Sequence, residues 1–215
     1  GSGSFGHMAA REYGTRDGVR TADDWRGFAE VWREAKTLNQ LVMESLIRAG
    51  LPVIAFAPCA QVLTRSQKIL SWNTTQIRSS LEHGLLPVIY GDVVFDEEIG
   101  GTILSTEEQF EYLAAQFNPD RILLAGIEKG IWKDFPQRTK IFERITPETM
   151  QEFSSHLAAS ESPDVTGGMR SKVMGMLKLV QFGLCQEVCI FSGLENQSIL
   201  DALTGKCTGT MISHD

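Results

Sequence analysis

Hydrophobic residues recur at three- and four-residue steps through Trp25, Phe28, Trp32, Ala35, Leu38, Val42, Leu46 and Ala49. That spacing is one apolar face of a helix and predicts a long helix over 22–49. Thr21 stands where an N-cap is needed, Asp23 and Asp24 suit the first turn, and Gly50 and Pro52 end the pattern. The period then changes. Val53-Ile54-Ala55-Phe56 is a short continuous apolar run, as in a buried strand. A helix follows over 74–83, closed by Gly84, and Leu85 to Tyr90 forms the next strand, running into Gly91-Asp92-Val93. Residues 94–104 read as a hairpin with an acidic turn at Asp96-Glu97-Glu98.

A helix is predicted over 106–117, with Ser105 as N-cap and Glu107 and Glu108 in its first turn, and a strand over 121–125. Residues 127–147 are polar and irregular, with Pro136 and Pro147. Helices are predicted over 148–158 and 170–182, the latter on a stripe of Met169, Val173, Met176, Leu177 and Val180. A strand at 188–191, a short helix at 196–203 and a strand at 210–212 complete the chain. Strands alternating with helices imply an α/β layered fold with a mainly parallel sheet. In such folds ligands bind at the carboxyl ends of the strands.

The 215 residues, 42% of them hydrophobic, suffice for one domain with a sizeable core. A net charge of −7 without a basic run gives no support to nucleic-acid binding. No apolar stretch is long enough to span a membrane. The four cysteines form no Cys-x-x-Cys pair, and Cys185 and Cys189 read as apolar filler in a reduced cytosol.

Two glycine turns carry candidate chemistry. Gly1-Ser2-Gly3-Ser4-Phe5-Gly6-His7 concentrates glycines, hydroxyls and a histidine, a composition suited to holding a phosphate with backbone N–H groups. A cloning remnant, a dinucleotide fingerprint at Gly1, Gly3 and Gly6, and an ordinary glycine turn are the competing readings. Thr166-Gly167-Gly168-Met169-Arg170-Ser171-Lys172 opens a helix, where N–H groups and the positive helix end favour an anion. Lys172 stands one turn in, either as a phosphate contact or as a surface lysine. There is no G-x-x-x-x-G-K-[ST] motif, which excludes a P-loop enzyme. His83, His156 and His214 read as structural or solvated, Asp164 as a cap or a partner of Lys172, and Glu107 and Glu108 as helix-start charges rather than metal ligands.

With these residues in view, the chain resembles the amino acid kinase superfamily and, within it, the isopentenyl phosphate kinase family. The resemblance rests on GSGSFGH, on Tyr90-Gly91-Asp92-Val93-Val94, on Ile103-Leu104-Ser105, on Gly130-Ile131-Trp132, and on Asp164-Val165-Thr166-Gly167-Gly168 with Lys172. These lie in family order across the chain. The histidine of the first loop marks kinases whose acceptor is a phosphate or phosphonate rather than a carboxylate.

The resemblance implies a three-layer αβα sandwich over 1–215, with an acceptor-binding lobe at 1–118 and a nucleotide-binding lobe at 119–215. It also implies ATP-dependent phosphorylation of isopentenyl phosphate in isoprenoid precursor synthesis, with Mg²⁺, in a cytoplasmic homodimer. Gly3, Gly6 and His7 would hold the acceptor phosphate, with His7 also stabilising the transition state. Ser4, Thr166, Gly167, Gly168 and Lys172 would serve the nucleotide. Phe28 and Val31 would form one wall of the prenyl slot, Val93 and Ile103 the other, and Thr102 would lie near its mouth. The family begins with a strand and a Lys-x-Gly-Gly-Ser turn, so the expectation is that an N-terminal segment of the fold is missing from this chain. The family's Asp-x-Asp-Gly is replaced by Ile127-Glu128-Lys129-Gly130, which puts the adenine-side contacts in question. The rival readings are a fosfomycin-type kinase for another small phosphate or phosphonate, and a non-catalytic module that senses a nucleotide or metabolite.

Overall fold

The structure, a computed structural model, describes residues 5–134, 136–149 and 168–214. The chain forms two compact units, Gly1–Gln109 and Phe110–Asp215. Most of the helix expected over 148–158 lies outside the described residues.

The first unit opens with helix α1 (His7–Glu12), a 3-10 turn at Thr15–Asp17, and the long helix α2 (Ala22–Arg48). The start of α2 is fixed by a reciprocal cap. The Asp24 N–H donates to the Thr21 hydroxyl at 3.2 Å, and the Thr21 N–H donates to the Asp24 carboxylate at 2.8 Å. Gly50, at φ 78°, turns the chain out of the helix. The first half of α2 buries Gly27, Phe28, Val31 and Ala35. The predicted stripe does not stay buried to its end: Val42 and Ala49 are exposed, as are Leu41 and Ile47 beside it. Among the described residues, the apolar cluster that covers this helix reaches Phe28, Val31 and Trp32.

Strand β1 (Val53–Ala55) pairs in parallel with β4 (Leu86–Val88), which follows helix α3 (Thr75–Glu82). A second sheet has the order β3-β2-β5-β6, with β2 at Val62–Arg65, β3 at Lys68–Trp72, β5 at Asp92–Asp96 and β6 at Gly100–Leu104. The β5–β6 hairpin is the predicted one, lengthened at both strands. The β2–β3 hairpin is not announced by the sequence, because its turn residues Ser66 and Gln67 adopt φ 48° and 66° without the glycine or asparagine that normally signals such a turn.

A single carboxylate accounts for that geometry. Asp96 Oδ1 accepts from the N–H groups of Ser66 (3.1 Å), Glu98 (3.0 Å) and Ile99 (3.1 Å). Its Oδ2 accepts from the Gln67 N–H and the Thr64 hydroxyl, both at 2.8 Å. Both hairpin turns therefore close on one side chain. Burial by itself would raise the Asp96 carboxyl, but the N–H groups of Gln67, Glu98 and Ile99 and the Thr64 hydroxyl outweigh it and hold it at about 2.

Helix α4 (Thr106–Phe117) follows β6 in the chain; in the second unit the sheet order is β7-β9-β10-β8, with β7 at Arg121–Gly126, β8 at Arg144–Ile145, β9 at Glu187–Ser192 and β10 at Thr210–Ser213. Helix α5 (Gly168–Gln181) lies between the parallel neighbours β7 and β9 in sequence, and the short helix α6 (Ser198–Leu203) between the antiparallel neighbours β9 and β10. Alternation along the strands builds two faces. Ile122, Val188, Ile190 and Ile212 pack with Val173, Met176, Leu177 and Val180 of α5. Leu123, Cys189 and Phe191 face the other way, onto Ala202 of α6 and Cys207. Helix, sheet and helix form the expected three layers here. Among the described residues the strands form one parallel pair, β1–β4, and two four-stranded sheets that contain both parallel and antiparallel neighbours. Strands joined by tight turns pair antiparallel, and parallel pairs need a longer crossover.

The cysteine expectation needs correction. Cys185 is free and buried, as expected, but Cys189 forms a disulfide with Cys207. Cys189 lies on the sheet face opposite Val188 and Ile190, and the chain returning from α6 brings Cys207 to it. Their 18-residue separation hides the pairing from any short motif.

Two predictions follow from these contacts. The folded Asp96 carboxyl titrates below its ordinary 3.8, so its stabilisation is present above about pH 4 and is lost as pH falls toward 2. Asp96→Asn is expected to cost about 2 kcal/mol at pH 7 and to flatten the acid limb of a urea-unfolding series; an unchanged midpoint and acid limb would contradict the role. Reduction of the disulfide is expected to remove about 3 kcal/mol, the order for a loop of this length. Without reductant, thiol titration of the denatured chain should find only Cys59 and Cys185; four reactive thiols would refute the pairing.

Candidate active site

The loop expected to hold an acceptor phosphate leads directly into α1; its Gly3 and Ser4 lie outside the described residues. Gly6 caps the helix at φ 75°, a left-handed conformation that a side chain would strain. Its carbonyl accepts from the Ala10 N–H at 2.8 Å. Its N–H donates to the Glu34 carboxylate of α2. A Cβ at Gly6 would stand 3.5 Å from Val31 Cγ1, so the loop rests on the buried face of α2. His7 follows at once as the first residue of α1, half-buried.

Beneath this loop is an apolar cluster. Phe28, Val31 and Val93 are buried together with Ala9, Ala10 and Val19, and Ile103, Tyr13 and Trp32 pack against them. The four residues expected to form the two slot walls are thus in one place. Phe28 is further held by Trp25 and Phe95, with ring centroids at 5.2 and 5.3 Å.

Thr102 is 1% exposed, and its hydroxyl donates to the Arg16 carbonyl at 2.9 Å. Arg16 is the other organiser of this region. Its guanidinium grips Glu108 at 2.8 and 3.1 Å and also donates to the Ile103 carbonyl. Glu108 in turn accepts from the N–H and hydroxyl of Ser105, at 2.7 and 2.8 Å. Glu108 therefore has the helix-start role expected for it.

Next to Val93, the Asp92 side chain is wholly buried and accepts from the N–H groups of Cys59 (3.1 Å) and Val93 (2.9 Å). Burial pushes its carboxyl up to about 6 against those two hydrogen bonds. Burial, with Asp92 nearby, also pushes the Tyr90 hydroxyl to about 12 and the Cys59 thiol to about 11.

In the second unit, Gly168 opens the 14-residue helix α5 and the half-buried Lys172 stands one turn along it. Thr166, Gly167 and Asp164 lie outside the described residues. At the carboxyl end of β7, Glu128 accepts the Trp132 indole N–H at 2.8 Å and pairs with Arg138 at 3.2 Å. Lys129 pairs with Glu195 at 3.0 Å. Gly209 is pressed against this segment: a Cβ there would stand 2.0 Å from the Ile190 carbonyl and 2.6 Å from that of Lys129. Of the remaining histidines, His83 bonds its ring to the Ser79 carbonyl at 2.8 Å and His214 to the Val180 carbonyl at 2.7 Å, both structural contacts. His156 lies outside the described residues.

Sequence reasoning missed Glu34, Arg16 and Asp96. Arg16 and Asp96 act on partners about thirty to ninety residues away in sequence, which no local pattern reports. Glu34 had a signal: it is an acidic residue between Val31 and Ala35 on the face of α2 that turns inward.

The pattern that defines the amino acid kinase family matches residues 1–192. The chain is 30% identical over 214 residues to the isopentenyl phosphate kinase of Methanocaldococcus jannaschii, covering 99% of this chain and 78% of that protein. It is 29% identical to the isopentenyl phosphate kinase of Methanothermobacter thermautotrophicus, covering 87% of this chain and 73% of that protein. A solved structure described as isopentenyl phosphate kinase superposes with a TM-score of 0.80 at 27% identity, over 98% of this chain and 81% of that one. The chain belongs to the amino acid kinase family, in its isopentenyl phosphate kinase branch.

Proposed function

We propose that this protein transfers the terminal phosphoryl group of ATP to isopentenyl phosphate, giving isopentenyl diphosphate and ADP. The observation that carries this reading is the seating of the Gly6–His7 loop on the cluster of Phe28, Val31, Val93 and Ile103. A phosphate-holding loop set on a dry apolar patch suits an acceptor with an anionic head and a short hydrocarbon tail. A fosfomycin-type acceptor would call for a more polar surround.

The reaction needs no protein nucleophile. An oxygen of the acceptor phosphate forms the new bond to the γ-phosphorus, and the bond from that phosphorus to the β–γ bridging oxygen breaks, releasing ADP. Positioning and neutralisation of charge supply most of the catalysis. His7 donates a hydrogen bond to the acceptor phosphate and to the charge that builds on the transferring group. Phe28, Val31, Val93 and Ile103 surround the tail and exclude water. Gly168, at a helix N-terminus, and Lys172, one turn on, fit the triphosphate as anion donors. Among the described residues no group of three or more histidine, cysteine or acidic side chains is placed to hold a metal. Mg²⁺, when bound with ATP, would neutralise phosphate charge beside Gly168 and Lys172.

Residues 1–118 carry the acceptor groups in this reading and 119–215 the nucleotide groups. The exposed Leu41, Val42 and Ile47 support a homodimer, since a second copy would cover them. A cytoplasmic setting rests on the need for ATP; the Cys189–Cys207 bond removes the cysteine argument for it.

The test is ADP release with Mg·ATP and isopentenyl phosphate, comparing the full-length protein with its His7→Ala variant. A loss of roughly 100- to 1,000-fold in kcat is expected. Turnover indifferent to His7 would refute its role, and a folded chain without turnover would refute the phosphotransfer reading.

A further inference from the structure

Gly6 is held from three sides. Its carbonyl receives the Ala10 N–H, its α-carbon lies against Val31, and its N–H points to the Glu34 carboxylate. Val31 and Glu34 are three residues apart on α2, so they share one face and together form a seat for the loop. The carboxylate is unexpected there, because the loop is built to take an anion and a negative charge repels one. A hydrogen bond from a glycine held at φ 75° fixes the peptide plane between Phe5 and Gly6. That plane sets where the chain enters α1, and His7 is the next residue.

We infer that Glu34 is a positioning residue for the acceptor phosphate: its carboxylate holds the Gly6 N–H, and through that peptide it sets the place of His7. One backbone N–H of the loop is then committed to the protein, and the acceptor phosphate is bound by the remaining donors and by His7. The inference rests on the phosphotransfer reading for its consequence, though not for the contact itself. Glu34 touches neither substrate and acts only through the loop.

The experiment compares the whole chain with Glu34→Ala, Glu34→Gln, His7→Ala and the Glu34→Ala/His7→Ala double variant. Glutamine keeps an acceptor oxygen for the Gly6 N–H, and alanine keeps none. For Glu34→Ala, kcat/KM for isopentenyl phosphate is expected to fall roughly 10- to 100-fold, the size that a misplacement of about 1 Å produces, with KM for ATP unchanged. Glu34→Gln is expected to restore most of that loss. The double variant is expected to be no worse than His7→Ala alone, because both changes remove one unit of function. An unchanged kcat/KM in Glu34→Ala, a tighter KM for isopentenyl phosphate in that variant, a Gln variant as impaired as the Ala variant, or additive losses in the double variant would each overturn the role.

The Gly6 amide resonance is a second readout that needs no turnover. It is expected to lie downfield in the unmodified chain and to move upfield in Glu34→Gln, where a weaker neutral acceptor replaces a charged one. No movement would overturn the contact. A folded full-length protein that turns over nothing would refute the phosphotransfer reading, and the amide measurement would still decide whether Glu34 holds the loop.

Discussion

The first unit of this protein depends on one packing constraint: a glycine in a left-handed conformation must lie against the buried face of a long helix. Only a residue without a side chain takes φ 75° at Gly6 freely, and only there does the loop come down onto Val31. Everything beneath follows from that contact. Ala9 and Ala10 are small enough for α1 to settle close to α2, and both enter the cluster that holds Phe28, Val31 and Val93. The polar loop and the apolar patch are adjacent because the same turn of α2 supports both.

That helix needs its own anchors, and they come from charged groups used locally. The Thr21–Asp24 cap starts α2, and the Asp96 carboxylate gathers both hairpin turns of the facing sheet. The guanidinium of Arg16 joins the Ile103 carbonyl to the cap of the 106–117 helix through Glu108. Val93 and Ile103, paired across β5 and β6, are therefore presented from a hairpin that is pinned at its turn end by Asp96 and at its open end by Arg16. In the proposed function, a wall so fixed would favour one tail shape, with a modest discrimination among short tails of about 1–3 kcal/mol for each methylene.

Much of this was legible in the sequence, and the boundary has physical causes. The helices over Ala22–Arg48, Thr75–Glu82 and Thr106–Phe117 carry strong periodic or capping signals, and their ends agree with expectation within a residue or two. Phe28, Val31, Val93 and Ile103 were grouped by resemblance, and the fold brings them together. The β2–β3 hairpin escaped because Ser66 and Gln67 owe their left-handed backbone to a carboxylate thirty residues on. The Cys189–Cys207 bond escaped because strand alternation, not spacing, brings the sulfurs together. Glu34 is a half-way case: its place between Val31 and Ala35 marks it as an acidic residue on the inward face of α2, but its partner, a backbone N–H in a preceding loop, carries no sequence signature.

In the proposed function the loop at Gly6–His7 and the cluster below it form one acceptor site, phosphate above and hydrocarbon within. A crystal structure of the protein with isopentenyl phosphate tests this most directly. The phosphate is expected within hydrogen-bond distance of the His7 side chain, and the tail among Phe28, Val31, Val93 and Ile103. A phosphate bound away from His7, or a tail lying outside that cluster, would contradict it.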